Sequence, residues 1–128
     1  MEVTITDIEK YLDEVKKAVK AGRYRVEMNN KRQDNQNLFL DYIISEEKRK
    51  QILLSLEAKD FSEIKNNTNE GYEYELLYVF GKEVELLHRF SSGEERVLLY
   101  IKFNKLESGD VVVISFHKQK YPIRYKFK

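Results

Sequence analysis

Side chains suited to acid–base and phosphate chemistry lie on two neighbouring segments near the end of the sequence: Tyr100, Lys102 and His117. An imidazole can accept or donate a proton near neutral pH, and an ammonium group binds phosphate as a point charge. This set suits metal-free RNA cleavage, in which the ribose 2′-OH attacks the adjacent phosphorus while a base, an acid and cations assist. We therefore take His117 and Tyr100 as candidate catalytic residues and Lys102 as a candidate substrate contact.

The two segments, residues 97–104 (VLLYIKFN) and 111–118 (VVVISFHK), predict a β-hairpin. Ser108-Gly109 is typical of a two-residue turn, which would pair Glu107 with Asp110. Counting outward gives six further pairs: Leu99 with Lys118, Tyr100 with His117, Ile101 with Phe116, Lys102 with Ser115, Phe103 with Ile114 and Asn104 with Val113. One face is then apolar and the other carries the reactive groups. The alternative is that Tyr100 and His117 form an ordinary cross-strand pair without a catalytic role.

Composition indicates one domain, residues 1–128, with enough apolar residues (41%) to form a core. The formal charge is only +1, so a basic surface must be local, as in the acid-free stretch from Lys118 to Lys128. Cysteine is absent and there are two histidines, so we expect no disulfide, metal or cofactor. There is neither a run of apolar residues of transmembrane length nor a signal-peptide pattern, which predicts a cytoplasmic protein without membrane association.

The first half of the chain reads mainly as helical. A capping box at Thr6–Glu9 precedes an apolar helical stripe (Ile8, Tyr11, Leu12, Val15, Ala18 and Val19), and Gly22 ends the helix. The next segments predict a short strand or extended arm at 24–28, a polar loop at 29–37, a buried helix at 38–44 and a helix from Ser45 to about Ser55. Residues 60–65 form either a helical turn or an edge strand, of which we favour the strand, and a loop follows at 66–71.

The second half reads as β-structure. We predict a strand from Tyr72, a turn at Gly81-Lys82, a returning strand at 84–90 and a turn at 91–94 before the hairpin. Pro122 limits 123–127 to an edge strand at most. The fold class is therefore α+β, with N-terminal helices packed on a C-terminal antiparallel sheet.

Several other residues leave two interpretations open. Lys31, Arg32, Gln33 and Asn35 either hold RNA or belong to a solvated, mobile loop. Tyr121 and Tyr125, set among basic residues, either stack on bases or pack the C-terminal segment against the sheet. In the strand at 84–90, alternation puts Arg89 and His88 on opposite faces, and we take Arg89 as a phosphate contact and His88 as structural.

Four stretches resemble the MqsR family of bacterial type II toxins: residues 15–25 (VKKAVKAGRYR), Asp60-Phe61, residues 99–102 (LYIK) and residues 111–117 (VVVISFH). The resemblance implies a RelE-like fold, metal-independent endoribonuclease activity on single-stranded RNA, and a cognate antitoxin protein as partner. A non-catalytic α+β module that binds a protein or nucleic acid is the alternative. A translation-associated or phage-derived structural protein is a third possibility.

The resemblance also implies site residues. The family has a lysine shortly after Asp-Phe, where this chain has Ser62-Glu63, so the nearest match, Lys65, becomes a candidate catalytic residue. The family's Trp-Gln-x-x-Tyr matches residues 74–78 (YELLY), which makes Glu75 and Tyr78 candidate substrate contacts. The family's strand tyrosine matches Tyr100, and its terminal basic residue matches His117. Adjacent Lys118 is a further candidate substrate contact.

Overall fold

The computed structural model describes residues 2–128 and has an α+β architecture. Three helices and six strands follow one another along the chain, with a short 3-10 turn before the third strand. Their bounds are α1 Ile5–Lys20, β1 Tyr24–Val26, α2 Gln33–Asp41, β2 Tyr42–Ile43, α3 Glu46–Leu54, the 3-10 turn Ala58–Asp60, β3 Phe61–Asn66, β4 Leu76–His88, β5 Glu94–Lys105 and β6 Val111–Lys118.

The strands form one sheet in the order β1-β6-β5-β4-β2, and β3 pairs with the first part of β4. Only the β1–β6 pair is parallel; the other pairs are antiparallel. The expected α+β class is therefore confirmed, although β1 and β2 lie between the helices in sequence. The β5–β6 hairpin occupies the middle of the sheet, so both its strands have neighbours on either side.

Helix α1 covers one face of this sheet. All six residues of the predicted apolar stripe are buried, and Gly22 follows the helix with a positive φ of 75°, as expected. The capping box lies two residues earlier than predicted. The Thr4 hydroxyl accepts the Asp7 amide proton at 3.1 Å, and the Asp7 carboxylate accepts the Thr4 amide proton at 3.0 Å.

The predicted polar loop at 29–37 and buried helix at 38–44 are right in part, but their bounds are wrong. Helix α2 begins at Gln33 inside the polar run and ends at Asp41, and Tyr42 then enters β2. Asn35 is fully buried and lies three positions before buried Leu38, so the two side chains share one face of the helix. The polar run therefore forms a helix whose inward face includes one polar residue. The next helix agrees with prediction, since Ser45 caps α3 by accepting the Lys48 amide proton at 3.0 Å.

The predicted turn at Gly81-Lys82 is also wrong, because β4 runs unbroken through it. Gly81 pairs with Tyr100 of β5, and a Cβ atom there would lie 2.5 Å from the Tyr125 hydroxyl and 2.8 Å from Ile123. The glycine therefore permits close approach by residues 119–128, which we call the C-terminal arm. The arm contains no strand, so the possible edge strand at 123–127 is absent. The strand expected at 60–65 is present as β3.

The β5–β6 hairpin departs from the prediction in two places. The Leu106 amide donates to Asp110 and the Gly109 amide donates to Leu106, both at 2.9 Å, so the loop has three residues instead of two. Gly109 adopts a φ of 93° there. The expected pairing of Glu107 with Asp110 is thus replaced by Leu106 with Asp110.

A β-bulge then restores the predicted register. Lys102 pairs with Ser115 but Phe103 pairs with Val113, which leaves Ile114 as the extra residue. The expected partners of Phe103 and Asn104 are therefore wrong by one residue. Beyond the bulge the four outer pairs are as predicted: Leu99 with Lys118, Tyr100 with His117, Ile101 with Phe116 and Lys102 with Ser115.

Candidate functional site

An open groove of about 890 Å³ lies on the sheet face opposite the core residues of the hairpin. We call it the main groove. Its floor is the outer half of β5 and β6, and its sides are the start of α2, strand β3 and the C-terminal arm. Four of the predicted site residues line it together: Lys65, Tyr100, Lys102 and His117.

Tyr100 and His117 lie against each other in this groove. Their rings are stacked, with centroids 5.2 Å apart and planes inclined by 11°. His117 Nδ1 lies 2.7 Å from the Lys118 carbonyl oxygen, which only accepts hydrogen bonds, so Nδ1 carries a proton. Nε2 has no hydrogen-bonding partner within the described part of the chain. In the neutral ring this nitrogen therefore keeps its lone pair available to a bound molecule.

Four cationic side chains line the groove without an ion pair to any described residue: Arg32, Lys65, Lys102 and Arg124. Glu63 is the single acid among the described lining residues. Burial, together with the charges of Arg32 and Lys65, lowers the pKa of the Lys102 ammonium. The groove thus concentrates positive charge that the overall balance of +1 conceals.

Asn35 of α2 holds β6 beside the bulge. Parallel pairing with β1 ends where the Glu27 amide donates to Val113 at 3.0 Å. The Asn35 amide group continues that ladder: its Nδ2 donates to the Ile114 carbonyl at 2.9 Å and to the Glu27 carbonyl at 2.8 Å, and its Oδ1 accepts the Phe116 amide proton at 2.8 Å. Asn35 therefore fixes the backbone immediately before His117. The sequence analysis missed this structural role of Asn35.

The C-terminal arm crosses the sheet and forms one side of the groove. Its start is held by the Gln119 amide, which donates to Leu98 at 2.8 Å, and its far part by the Lys126 amide, which donates to Phe61 at 3.1 Å. Between them the Ser62 hydroxyl donates to the Arg124 carbonyl at 2.8 Å. The arm therefore brings the positive charge of its basic residues beside the Tyr100–His117 pair.

The two tyrosines of the arm have different environments. Tyr125 packs over Gly81 and beneath the Lys128 ammonium, 5.0 Å from the ring centroid, so it anchors the arm. Tyr121 is 81% exposed and has no aromatic or hydrogen-bonding partner among residues 2–128. Of the two interpretations left open by the sequence, packing applies to Tyr125, while the ring of Tyr121 remains accessible.

Two predicted substrate contacts lie outside the groove. Arg89 donates to the carbonyls of Leu40 and Phe39, both at 2.9 Å, so its guanidinium stabilises the end of α2. Lys118 points to the opposite face of the hairpin, where its ammonium lies 5.1 Å from the centre of the Tyr42 ring. Alternation along β6 produces this result, because Lys118 follows His117 directly.

The pair derived from the YELLY match also lies apart. Tyr78 stacks on Tyr11 of α1 with centroids 3.7 Å apart, on the core side, and burial raises its pKa. Glu75 accepts hydrogen bonds from the side chains of Asn67 at 2.9 Å and Asn104 at 3.0 Å. Both side chains hold the entry to β4 in place and do not line the main groove.

His88 behaves as expected, since its Nδ1 accepts the Phe90 amide proton at 3.1 Å.

Comparison of the chain with protein-family models, with curated proteins and with solved structures finds no match. Within residues 2–128, His, Cys, Asp and Glu side chains do not gather in threes at a distance suited to a metal ion. No described helix is both long enough and apolar enough to cross a membrane. The geometry of the main groove is therefore the basis for a functional proposal.

Proposed function

We propose that this protein is a metal-independent endoribonuclease that cleaves single-stranded RNA in the main groove. The supporting observation is that four cations without an ion pair to a described residue surround the stacked rings of Tyr100 and His117. Nε2 of His117 has no hydrogen-bonding partner in the described part of the chain. Unpaired cations that repel one another favour a polyanion as ligand. An imidazole beside them provides the proton transfer that a phosphodiester needs in order to react.

In the proposed reaction, Nε2 of neutral His117 accepts the proton of the ribose 2′-OH, which the Tyr100 hydroxyl helps to orient. The 2′-oxygen bonds to the adjacent phosphorus and the bond from phosphorus to the 5′-oxygen breaks. The lowered pKa of Lys102 makes its ammonium a stronger acid, and it protonates the leaving 5′-oxygen. Lys65 and Arg32 stabilise the charge on the phosphoryl oxygens. The products are a 2′,3′-cyclic phosphate and a 5′-hydroxyl.

The biological setting that we propose follows from the resemblance to the MqsR family. The protein would be the toxin of a type II toxin–antitoxin pair, with a RelE-like arrangement of its sheet and a cognate antitoxin that blocks the groove. The family's basic residue and tyrosine fall on His117 and Tyr100, which are stacked in the groove. An adjacent reading frame whose product binds this protein and stops cleavage is the expected counterpart.

The test is cleavage of end-labelled single-stranded RNA in EDTA by the intact protein. We expect the wild type to cut and to leave cyclic phosphate ends. His117→Gln is expected to reduce the rate by about 10²-fold or more, because it removes the proton acceptor. His88→Gln is the matched control, because this second histidine lies outside the groove. The His88→Gln variant should cut RNA at the wild-type rate. Circular dichroism establishes that both variants are folded.

Three outcomes would contradict the proposal. Cleavage by His117→Gln at the wild-type rate would exclude the imidazole as the base. Cleavage of RNA that carries 2′-deoxyribose at the cut site would exclude attack by the 2′-OH. Binding of RNA without cleavage by the wild type would instead support the non-catalytic module, in which the same cations only hold the strand.

A further inference from the structure

The C-terminal arm is a ridge between two grooves. Beyond the main groove lies a second groove of about 620 Å³, bounded by β4, β5 and the 3-10 turn. The two grooves share one side, formed by five consecutive or near-consecutive arm residues: Lys120, Tyr121, Pro122, Ile123 and Tyr125. A chain-like molecule that leaves the main groove over the arm therefore enters the second groove directly.

The second groove is positively charged. Lys59, Lys82, Lys120 and Lys128 line it together with only two acids, Asp60 and Glu83. Three of these lysines have carboxylate partners: Lys59 with Glu57, Lys82 with Asp60 and Lys120 with Asp34. Glu83 lies 3.6 Å from Arg96, so Lys128 is the lining lysine without an ion pair to a described residue. The arm itself contributes four basic residues and no acid over residues 119–128. This charge is complementary to that of a phosphodiester backbone.

The top of the ridge carries an accessible aromatic ring. Tyr121 is 81% exposed, and Leu98 across the second groove is 49% exposed. By contrast Tyr125, four residues later, is held against Gly81. Apolar and aromatic surface beside lysines is the combination that single-stranded nucleic acids use, because bases stack on the ring while the phosphates meet the cations.

We propose that the RNA strand runs from the main groove across the arm into the second groove, with one base stacked on Tyr121. This inference rests on the proposed function and adds the path of the substrate on one side of the cleaved bond. In a duplex each base face is covered by its neighbours, so only an unpaired strand can offer a base to Tyr121. The ridge therefore selects single-stranded RNA.

The test is binding of 2′-O-methyl RNA, which the enzyme cannot cut because the attacking hydroxyl is blocked. A ten-nucleotide strand reaches both grooves, and a trinucleotide reaches only the main groove. Tyr121→Ala should weaken binding of the longer strand about tenfold, as expected for one lost base–aromatic stack, and should change trinucleotide binding less than about twofold. Tyr121→Phe keeps the ring and should bind like the wild type.

Two controls define the site. Tyr74→Ala removes another exposed tyrosine, 72% accessible and outside both grooves, and should leave binding unchanged. Lys128→Met should reduce the salt dependence with which the protein binds the longer strand, whereas Tyr121→Ala should leave that salt dependence unchanged. Equal loss for both strand lengths, or no loss for either, overturns the proposed path while leaving cleavage in place. Failure of the wild type to bind either strand overturns the proposed function itself.

Discussion

The two sides of the main groove are built in different ways. The sheet side carries Tyr100 on β5, which is paired along both edges, and His117 on β6, which is paired with β5 and held on its other edge by β1 at residues 111–113 and then by Asn35. The arm side has no regular structure and is held by four hydrogen bonds, by the ion pairs of Lys120 with Asp34 and Lys126 with Glu2, and by the fit over Gly81. The groups proposed to move protons thus lie on rigid backbone, and those proposed to hold the RNA strand lie on an adjustable segment.

The largest effect is expected from breaking the sheet side at Asn35. Asn35→Ala removes the partner of the buried Ile114 carbonyl, of the partly buried Glu27 carbonyl and of the buried Phe116 amide. Since each such group costs about 1–3 kcal/mol, we expect the free energy of unfolding to fall by about 3 kcal/mol. Urea denaturation followed by circular dichroism measures this loss.

Gln36→Ala is the matched control on the same helix. Gln36 also donates to two carbonyls, at 2.7 and 3.1 Å, but these bonds lie at the surface, where water replaces them. Its cost should stay below about 1 kcal/mol. Equal losses for the two variants would show that Asn35 does not hold β6 more firmly than a surface contact does.

A smaller effect is expected on the arm side. Gly81→Ala places a Cβ where the Tyr125 hydroxyl, Ile123 and Gln119 now approach within 3.0 Å. We expect the arm to lift while the sheet persists, with a loss near 1 kcal/mol. Hydrogen exchange of the Gln119 and Lys126 amides should accelerate about tenfold, because their bonds to Leu98 and Phe61 open more often.

Gly71→Ala separates crowding from backbone strain. Gly71 has a φ of 88°, so alanine is strained there, but no atom lies within 4 Å of the added Cβ. Exchange in the arm should be unchanged in this variant. If Gly81→Ala also leaves the exchange of both arm amides at the wild-type rate, the glycine is not what allows the arm to pack.

The difference between the two sides also explains which parts the sequence predicted. Alternation along 97–104 and 111–118 identified the face that carries Tyr100, Lys102 and His117, because the period of a strand is local information. The register was correct at these residues for a reason that the sequence does not display. A three-residue loop and the Ile114 bulge each shift the pairing by one residue, and the shifts cancel.

The arm side depends on contacts between residues distant in sequence. Gly81 has the features of a turn glycine when its neighbours alone are considered, and only the arm, about forty residues later, explains it. Asn35 lies in a run of polar residues where nothing local distinguishes a buried amide from an exposed one. Arg89 and Lys118 were basic residues at plausible positions, but their partners, the end of α2 and Tyr42, are set by tertiary packing.

The smallest effect on stability is expected from Lys102→Met, which leaves both sides in place and removes the charge between them. Burial and the charges of Arg32 and Lys65 hold the pKa of Lys102 below its ordinary value. The protonated side chain is therefore destabilising in the folded state, and its removal should raise stability at pH 7 by less than about 1 kcal/mol. Cleavage should fall at the same time, because the proposed acid is lost.

The pH dependence gives the sharper measurement of this effect. As pH rises through the lowered pKa of Lys102 toward the ordinary lysine value, the folded protein loses this proton while the unfolded chain keeps it. The free energy of unfolding of the wild type therefore increases with pH in that window, compared with that of Lys102→Met. Tyr78, whose pKa is raised, acts in the opposite sense in both proteins and cancels in the difference. Lys16→Met, on α1 and outside the main groove, should show no such difference. A curve for Lys102→Met that runs parallel to that of the wild type would mean that neither burial nor the charges of Arg32 and Lys65 lower the pKa of Lys102.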